Sequence, residues 1–257
     1  MDRPVRSSAA KAQDSVPLRN GARLGYAASG VLHLLLAWVA FRLVVGHATT
    51  ADQTGALATL AATGPGKALL WVVLAGFLLL GAWHVTEAVV RTGRDRVKPA
   101  AKAVVYGALA WTTFRVLRGT AASGNQQSTH TASTLMSHPG GRLLVAAIGL
   151  GIAAVGVYHV LKGWRSRFLA DLREHPGAWA VYAGRFGYVA KGVALLVVGG
   201  LFVSAAVTAD PNKAQGLDGA LRTILALPLG RVLVGVVALG LAAYGVYSFA
   251  RARYARV

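Results

Sequence analysis

The chain has 257 residues, 55% of them apolar and only 14% charged, yet Lys and Arg outnumber Asp and Glu 27 to 9. Soluble domains carry roughly 25% charged residues, so this composition departs from a soluble protein and leaves two readings of the +18 charge: a nucleic-acid binder or a polytopic membrane protein. The absence of Cys excludes disulfides, thiolate metal sites and a cysteine nucleophile.

Residues 1–22 are polar and lack the apolar core of a cleavable signal peptide, so they read as a disordered cytoplasmic tail. Six apolar segments then follow that are long enough for a bilayer-crossing helix of about 20 residues: 24–46, 67–90, 101–119, 142–162, 186–208 and 229–250. The third is the weakest, because Arg115 and Arg118 stand in its last turns and must snorkel to the interface, as Arg42 does at the end of the first.

The cations alternate along the chain. The N-terminal stretch through Arg23, the loop 91–102, the segment 162–185 and the C-terminus together hold eighteen Lys/Arg, while the three intervening loops hold only Lys67, Arg142, Lys213, Arg222 and Arg231. The positive-inside rule therefore predicts both termini in the cytoplasm. Topology explains the basic charge, and a nucleic-acid role loses its main support.

A two-helix unit repeats three times, over 23–91, 92–165 and 185–253, with a cytoplasmic linker at 166–184. First helices share "AWVAFR" (37–42) with "AWTTFR" (110–115), and "RLGYAASG" (23–30) with "RFGYVAKG" (185–192). In the second helices Lys67, Arg142 and Arg231 each precede a Gly by nine residues (Gly76, Gly151, Gly240). Another Gly follows five later (Gly81, Gly156, Gly245), then an aromatic (Trp83, Tyr158, Tyr247). The outer loops repeat Gln53, Gln127 and Gln215 ahead of Pro65, Pro139 and Pro228. In the third loop Leu217, Leu221, Ile224 and Leu225 fall at helical spacing, which predicts a short amphipathic helix on the interface. The second loop, 123–141, reads as solvated; its His130 and His138 lack an acidic partner for a metal site.

The Arg-x-Gly-Tyr-x-x-x-Gly openings, "LDGALRTILALPLGR" and "GLAAYGVYSFARAR" resemble the bacterial membrane family called domain of unknown function (DUF) 1206, in which a two-helix unit usually occurs three times. The resemblance runs from Arg23 to about Arg253 and is loosest in the second copy, where the opening has become "RVKP". It implies a bacterial inner-membrane location and no activity.

Arg23 and Arg185 are expected at the cytoplasmic interface, where a guanidinium binds lipid phosphate, with Tyr26 and Tyr188 in the aromatic belt. Lys102 and Lys191 hold matching positions and extend this into a candidate lipid or anion contact. Gly30, Gly192 and the six second-helix glycines are expected to let helix backbones approach. Polar residues within spans are costly and are functional candidates by default: His33 near mid-bilayer, His84 and His159 at matching positions with Ser248 in the third copy, and Glu87 one turn beyond His84. Glu87 can pair with His84 or with a basic residue at the inner interface. Each His can instead simply bond a neighbouring helix, or His33, His84 and Glu87 can form a proton or ion relay. Two His can also ligate a haem, though His33 and His84 differ in depth.

"GPGK" (64–67) is too short for a phosphate loop, and no paired carboxylates, HExxH or Gly-x-Ser-x-Gly appear. The expectation is an all-α, six-span bundle of three parallel hairpins about a pseudo-threefold axis, with short amphipathic helices in the outer loops. Its role would be structural, scaffolding or lipid-associated, with no catalysis, cofactor or metal. A small transporter or channel along the axis is the alternative, and a membrane b-type haem protein a remote one. The expected partners are the bilayer and anionic headgroups on its cytoplasmic face, with no nucleic acid; self-association is left open.

Overall fold

A computed structural model of the protein describes residues 15–255. Among these residues the fold is all-α, with nine α-helices and no strand. In chain order they are α1 (Val16–Val44), α2 (Gln53–Ala61), α3 (Gly64–Val90), α4 (Val97–Leu117), α5 (Gly124–Met136), α6 (Gly141–Trp164), α7 (Ala178–Thr208), α8 (Leu217–Leu225) and α9 (Gly230–Tyr254).

Five helices, α1, α3, α6, α7 and α9, are long and apolar enough to cross a membrane. At 1.5 Å per residue they reach about 36 to 46 Å, beyond the ~30 Å hydrocarbon core. The predicted third span is helical as α4, but Lys98, Lys102 and Arg115 dilute its apolar content and it is not among the five. Large apolar side chains face outward all around the long helices, including Val104, Trp111, Leu143 and Trp164. A water-exposed surface of this kind would be strongly unfavourable, whereas lipid accepts it.

Helix ends follow local chemistry. The expected tail through residue 22 is corrected in part: α1 already starts at Val16, with Pro17 in its first turn, and Gly21 and Ala22 are buried against α3. Residues 1–14 of that tail lie outside the described residues. The loop expected at 123–141 is also corrected. Ser123 and Gln126 make a reciprocal capping box that starts α5. Asp52 and Thr63 cap α2 and α3 one way only, each accepting from the backbone N–H three residues on. The linker 166–184 is structured at its start and contributes to α7 at its end: Arg167–Asp171 forms a 3₁₀ turn, Arg173 N–H donates to Tyr254 O at 2.8 Å, and α7 begins at Ala178.

The long helices pack in the order α4, α3, α1, α9, α7, α6. Each touches the next, but α4 and α6, the two ends of this row, make no substantial contact with each other. Small residues set the closest crossings. A methyl on Gly192 (α7) would lie 2.7 Å from Gly156 O (α6), and one on Gly30 (α1) 3.0 Å from Gly245 O (α9). At the α3–α4 crossing Gly81 faces Ala103 more loosely, with 4.0 Å to Ala103 O. Gly76 fits against Ala28, and Gly240 against Ala190. Gly151, their counterpart in the middle copy, does not: nothing lies within 4 Å of its Cβ direction. The missing α4–α6 contact is the physical reason. The middle pair of helices is splayed.

Candidate functional site

At the bundle end where α1, α4 and α7 begin and α3, α6 and α9 finish, six helices direct polar side chains toward one region. Tyr26 and His33 come from α1, His84 and Glu87 from α3, Lys102 and Tyr106 from α4. His159 and Lys162 come from α6, Tyr188 and Lys191 from α7, and Tyr244, Tyr247 and Arg251 from α9. The 3₁₀ turn after α6 adds Phe168 and Asp171.

Arg251 is 8% exposed. Its guanidinium carbon lies 4.3 Å from the Tyr26 ring centroid, Nη2 is 3.5 Å from the Tyr26 hydroxyl, and Nε is buried without a partner. Lys191 Nζ sits 4.4 Å from the Tyr244 ring centroid and 3.2 Å from His33 Nε2. His33 Nδ1 is 2.7 Å from Ser29 O, so a proton on Nδ1 satisfies both contacts, with Nε2 accepting from the ammonium. Ring faces attract both cations without neutralising them.

Lys162 Nζ pairs with Asp171 Oδ2 at 2.6 Å and lies 5.3 Å from the Tyr188 ring centroid. Burial pushes the Asp171 carboxyl up, but Arg251, Lys162 and Lys102 together hold it below the usual carboxylate range. Glu87 Oε2 accepts from His84 Nδ1 at 2.9 Å, and Arg91 pairs with Oε1 at 2.9 Å. Both pairings anticipated for Glu87 are present. His84 stacks on Tyr106 at 5.6 Å, and its Nε2 is buried with no partner. Lys102, half-buried on α4, feels the charges of Arg251, Asp171, Glu87 and Lys162.

Four cations therefore share this region with two carboxylates, and both carboxylates are already engaged. Among the described residues, no carboxylate lies within ion-pair distance of Lys102, Lys191 or Arg251.

The predicted residues take four different places. Lys102, Lys191, His33, His84, Glu87 and His159 join the cluster, His159 with Nδ1 2.8 Å from Val155 O and its ring 5.7 Å from Tyr188. Tyr26 and Tyr188 are not belt aromatics: they are 4% and 2% exposed, because the α1–α9 and α7–α9 contacts close over them. Arg185 is exposed, with Nη2 3.4 Å from Trp164 O. Arg23 lines a cleft of about 320 Å³ on the same end with Arg173, Glu174, Arg253 and Tyr254, and its Nε is buried without a partner.

Arg251, Lys162 and Asp171 are the important members not singled out in the sequence. A signal existed for two of them. Six residues after Gly81, Gly156 and Gly245 stand Glu87, Lys162 and Arg251, one polar layer in three versions.

The opposite end is tied shut by its connectors. Thr54 Oγ1 donates to Ala122 O at 3.2 Å. Asn125 Oδ1 accepts from Gly216 N–H at 2.9 Å and Gly219 N–H at 3.2 Å. Asp218, buried, accepts from Ala51 N–H at 2.8 Å, from Asn125 Nδ2 at 3.1 Å and from Arg222 Nε at 2.9 Å. Each connector thus bonds the next, and the third returns to the first. Among the described residues no group of three His, Cys, Asp or Glu is placed to hold a metal, and His130 and His138 lie on separate turns of α5 and its exit.

The model of the family described as Domain of Unknown Function (DUF1206) matches residues 24–91, 97–166 and 186–255. A curated relative, "Uncharacterized protein YxxB" of Bacillus subtilis (strain 168), is 29% identical over 257 residues, covering 94% of this chain and 93% of its own. No solved structure matches.

Proposed function

The chain belongs to the Domain of Unknown Function (DUF1206) family, and from that premise we propose a six-span protein of the bacterial inner membrane that associates with anionic lipid at its cytoplasmic end and performs no catalysis. In this reading both termini are cytoplasmic, and α4 is the sixth span, since its 21 residues reach about 32 Å. Three parallel hairpins stand around a pseudo-threefold axis.

Two features support the symmetry. The Gly81–Ala103, Gly156–Gly192 and Gly245–Gly30 crossings each join the second helix of one copy to the first helix of the next. The connector hydrogen bonds run through the three copies in the same cyclic sense.

One observation carries the functional reading: the bundle is hydrogen-bonded shut at the connector end, while the other end presents Arg23, Arg173 and Arg253 around an open cleft. Clustered arginines at a membrane interface suit headgroup phosphates, by charge and by fork-shaped donation. A transporter or channel would need a path past Asp218 and Asn125, and their buried bonds weigh against it.

The test is thermal unfolding of the purified chain in nanodiscs of phosphatidylglycerol or of phosphatidylcholine. Greater stability in the anionic lipid, reduced in an Arg23→Gln/Arg253→Gln variant, supports the reading. Equal stability in both lipids overturns it.

A further inference from the structure

Three cations at this end of the bundle, Arg251 buried and Lys102 and Lys191 half-buried, have no carboxylate within ion-pair distance among the described residues, and this needs an explanation. A charge withdrawn from water is tolerated when it is paired or hydrogen-bonded, and an isolated one is strongly disfavoured. Lys191 and Arg251 each meet an aromatic ring, and among the described residues no carboxylate lies within ion-pair distance of Lys102, Lys191 or Arg251. Arg251 Nε is a buried donor that lacks an acceptor, and His84 Nε2 nearby is buried with no partner. Buried donors almost always have an acceptor, so the orphaned Arg251 Nε, beside cations with no ion-pair partner among the described residues, marks a place for an acceptor-rich anion.

The donor set narrows the chemistry. One guanidinium and two ammonium groups come from three different helices at this end of the bundle, so an anion that serves them must accept from several directions at once. A tetrahedral phosphate offers several acceptor oxygens and one or two negative charges, and it matches both the fork of Arg and the point charge of Lys.

The route is set by the walls. The connector end is closed by the Asp218 and Asn125 bonds. Between α4 and α6 the wall is open: these helices do not pack, Gly151 faces empty space, and Lys102 and Lys162 stand on the two flanking helices. An opening in the side of a bundle, rather than at its end, admits a molecule from the bilayer.

We propose that Lys102, Lys191 and Arg251 bind the phosphate group of an anionic phospholipid inside the bundle, admitted between α4 and α6. This site rests on the membrane reading above and is separate from the Arg23 cleft. Lys162 remains neutralised by Asp171 and lines the way in, while the Tyr26, Tyr188 and Tyr244 rings exclude water around the bound group.

The experiment is native mass spectrometry of the full chain, purified in zwitterionic detergent and given phosphatidylglycerol with excess phosphatidylcholine. The wild type should hold one phosphatidylglycerol per chain. A Lys102→Gln/Lys191→Gln variant should lose that retention by about tenfold or more, and the charge-preserving Lys102→Arg/Lys191→Arg variant should keep most of it. The Arg23→Gln/Arg253→Gln variant should still hold the one tight lipid, which separates this site from the surface cleft. A second arm titrates inorganic phosphate alone: binding of phosphate with no lipid retained keeps the residues but makes the source soluble, overturning the lipid assignment. Unchanged retention in Lys102→Gln/Lys191→Gln overturns the site while leaving the lipid-dependent stability of the Arg23 cleft untouched. If that variant does not fold, the wild type decides alone, because failure to hold phosphatidylglycerol or phosphate stoichiometrically also overturns it.

Discussion

Gly30 and Gly245 oppose each other across the α1–α9 contact so closely that a methyl on either would lie 3.0 Å from the other's carbonyl oxygen. In lipid no hydrophobic force gathers helices, so backbone contact of this kind carries much of the association.

Glycine substitutions should therefore divide sharply by position. Gly192→Val forces its side chain onto Gly156 O and should cost about 1 to 3 kcal/mol. Gly151→Ala meets nothing and should be neutral or stabilise by up to about 1 kcal/mol through helix propensity. Thermal unfolding of both variants in one detergent checks the contrast, and equal losses would show that α6 is packed on both sides.

Asp218 is the busiest acceptor at the connector end. Asp218→Ala strands the Ala51 N–H and the Asn125 amide and should destabilise by about 3 kcal/mol. Asp218→Asn keeps an acceptor for Ala51 and should cost less. Arg222, half exposed, should matter little: Arg222→Gln is expected within about 1 kcal/mol of wild type. Equilibrium unfolding of the three variants gives the order, and an Arg222 effect exceeding that of Asp218→Ala contradicts it.

The two-helix repeat was legible in the sequence because glycine crossings impose a fixed spacing on each second helix, and lipid imposes apolar length on every span. The α5 helix was legible too, since Ser123 and Gln126 stand at capping-box spacing, although polarity made 123–141 read as a loop. Arg251 and Lys162 share a frame with Glu87, yet their place near helix ends makes them look like topology signals. Other features had no local signal. The burial of Tyr26 and Tyr188 depends on which helix closes over them, and the Asp218–Ala51 bond joins residues 167 positions apart. The open α4–α6 seam, likewise, follows from packing rather than from any residue of its own.

Acid stability should report Asp171. Its carboxyl titrates below the usual range when folded, so its contribution is present above the unfolded carboxylate value of about 3.9 and disappears as pH falls through the lower, folded value. The wild type should lose melting temperature below about pH 4, and Asp171→Asn should start lower at neutral pH and lose less on acidification. Parallel curves between pH 3 and pH 6 would remove Asp171 from the acid response.

Because the chain has no Cys, single cysteines give an unambiguous readout of sidedness. Ser137→Cys, exposed at the connector end, should react with an impermeant maleimide applied to the periplasmic side of intact cells. Ala170→Cys, exposed beside the basic cluster, should react only after lysis. The reverse pattern would invert the topology.

The most direct test is a high-resolution density map of the chain purified with native lipids retained. Phosphate-shaped density against Lys102, Lys191 and Arg251, with an acyl chain leaving between separated α4 and α6, is the predicted result. A map with α4 packed on α6 and no density at these cations, or with a water-filled path running past Asp218, would contradict the account.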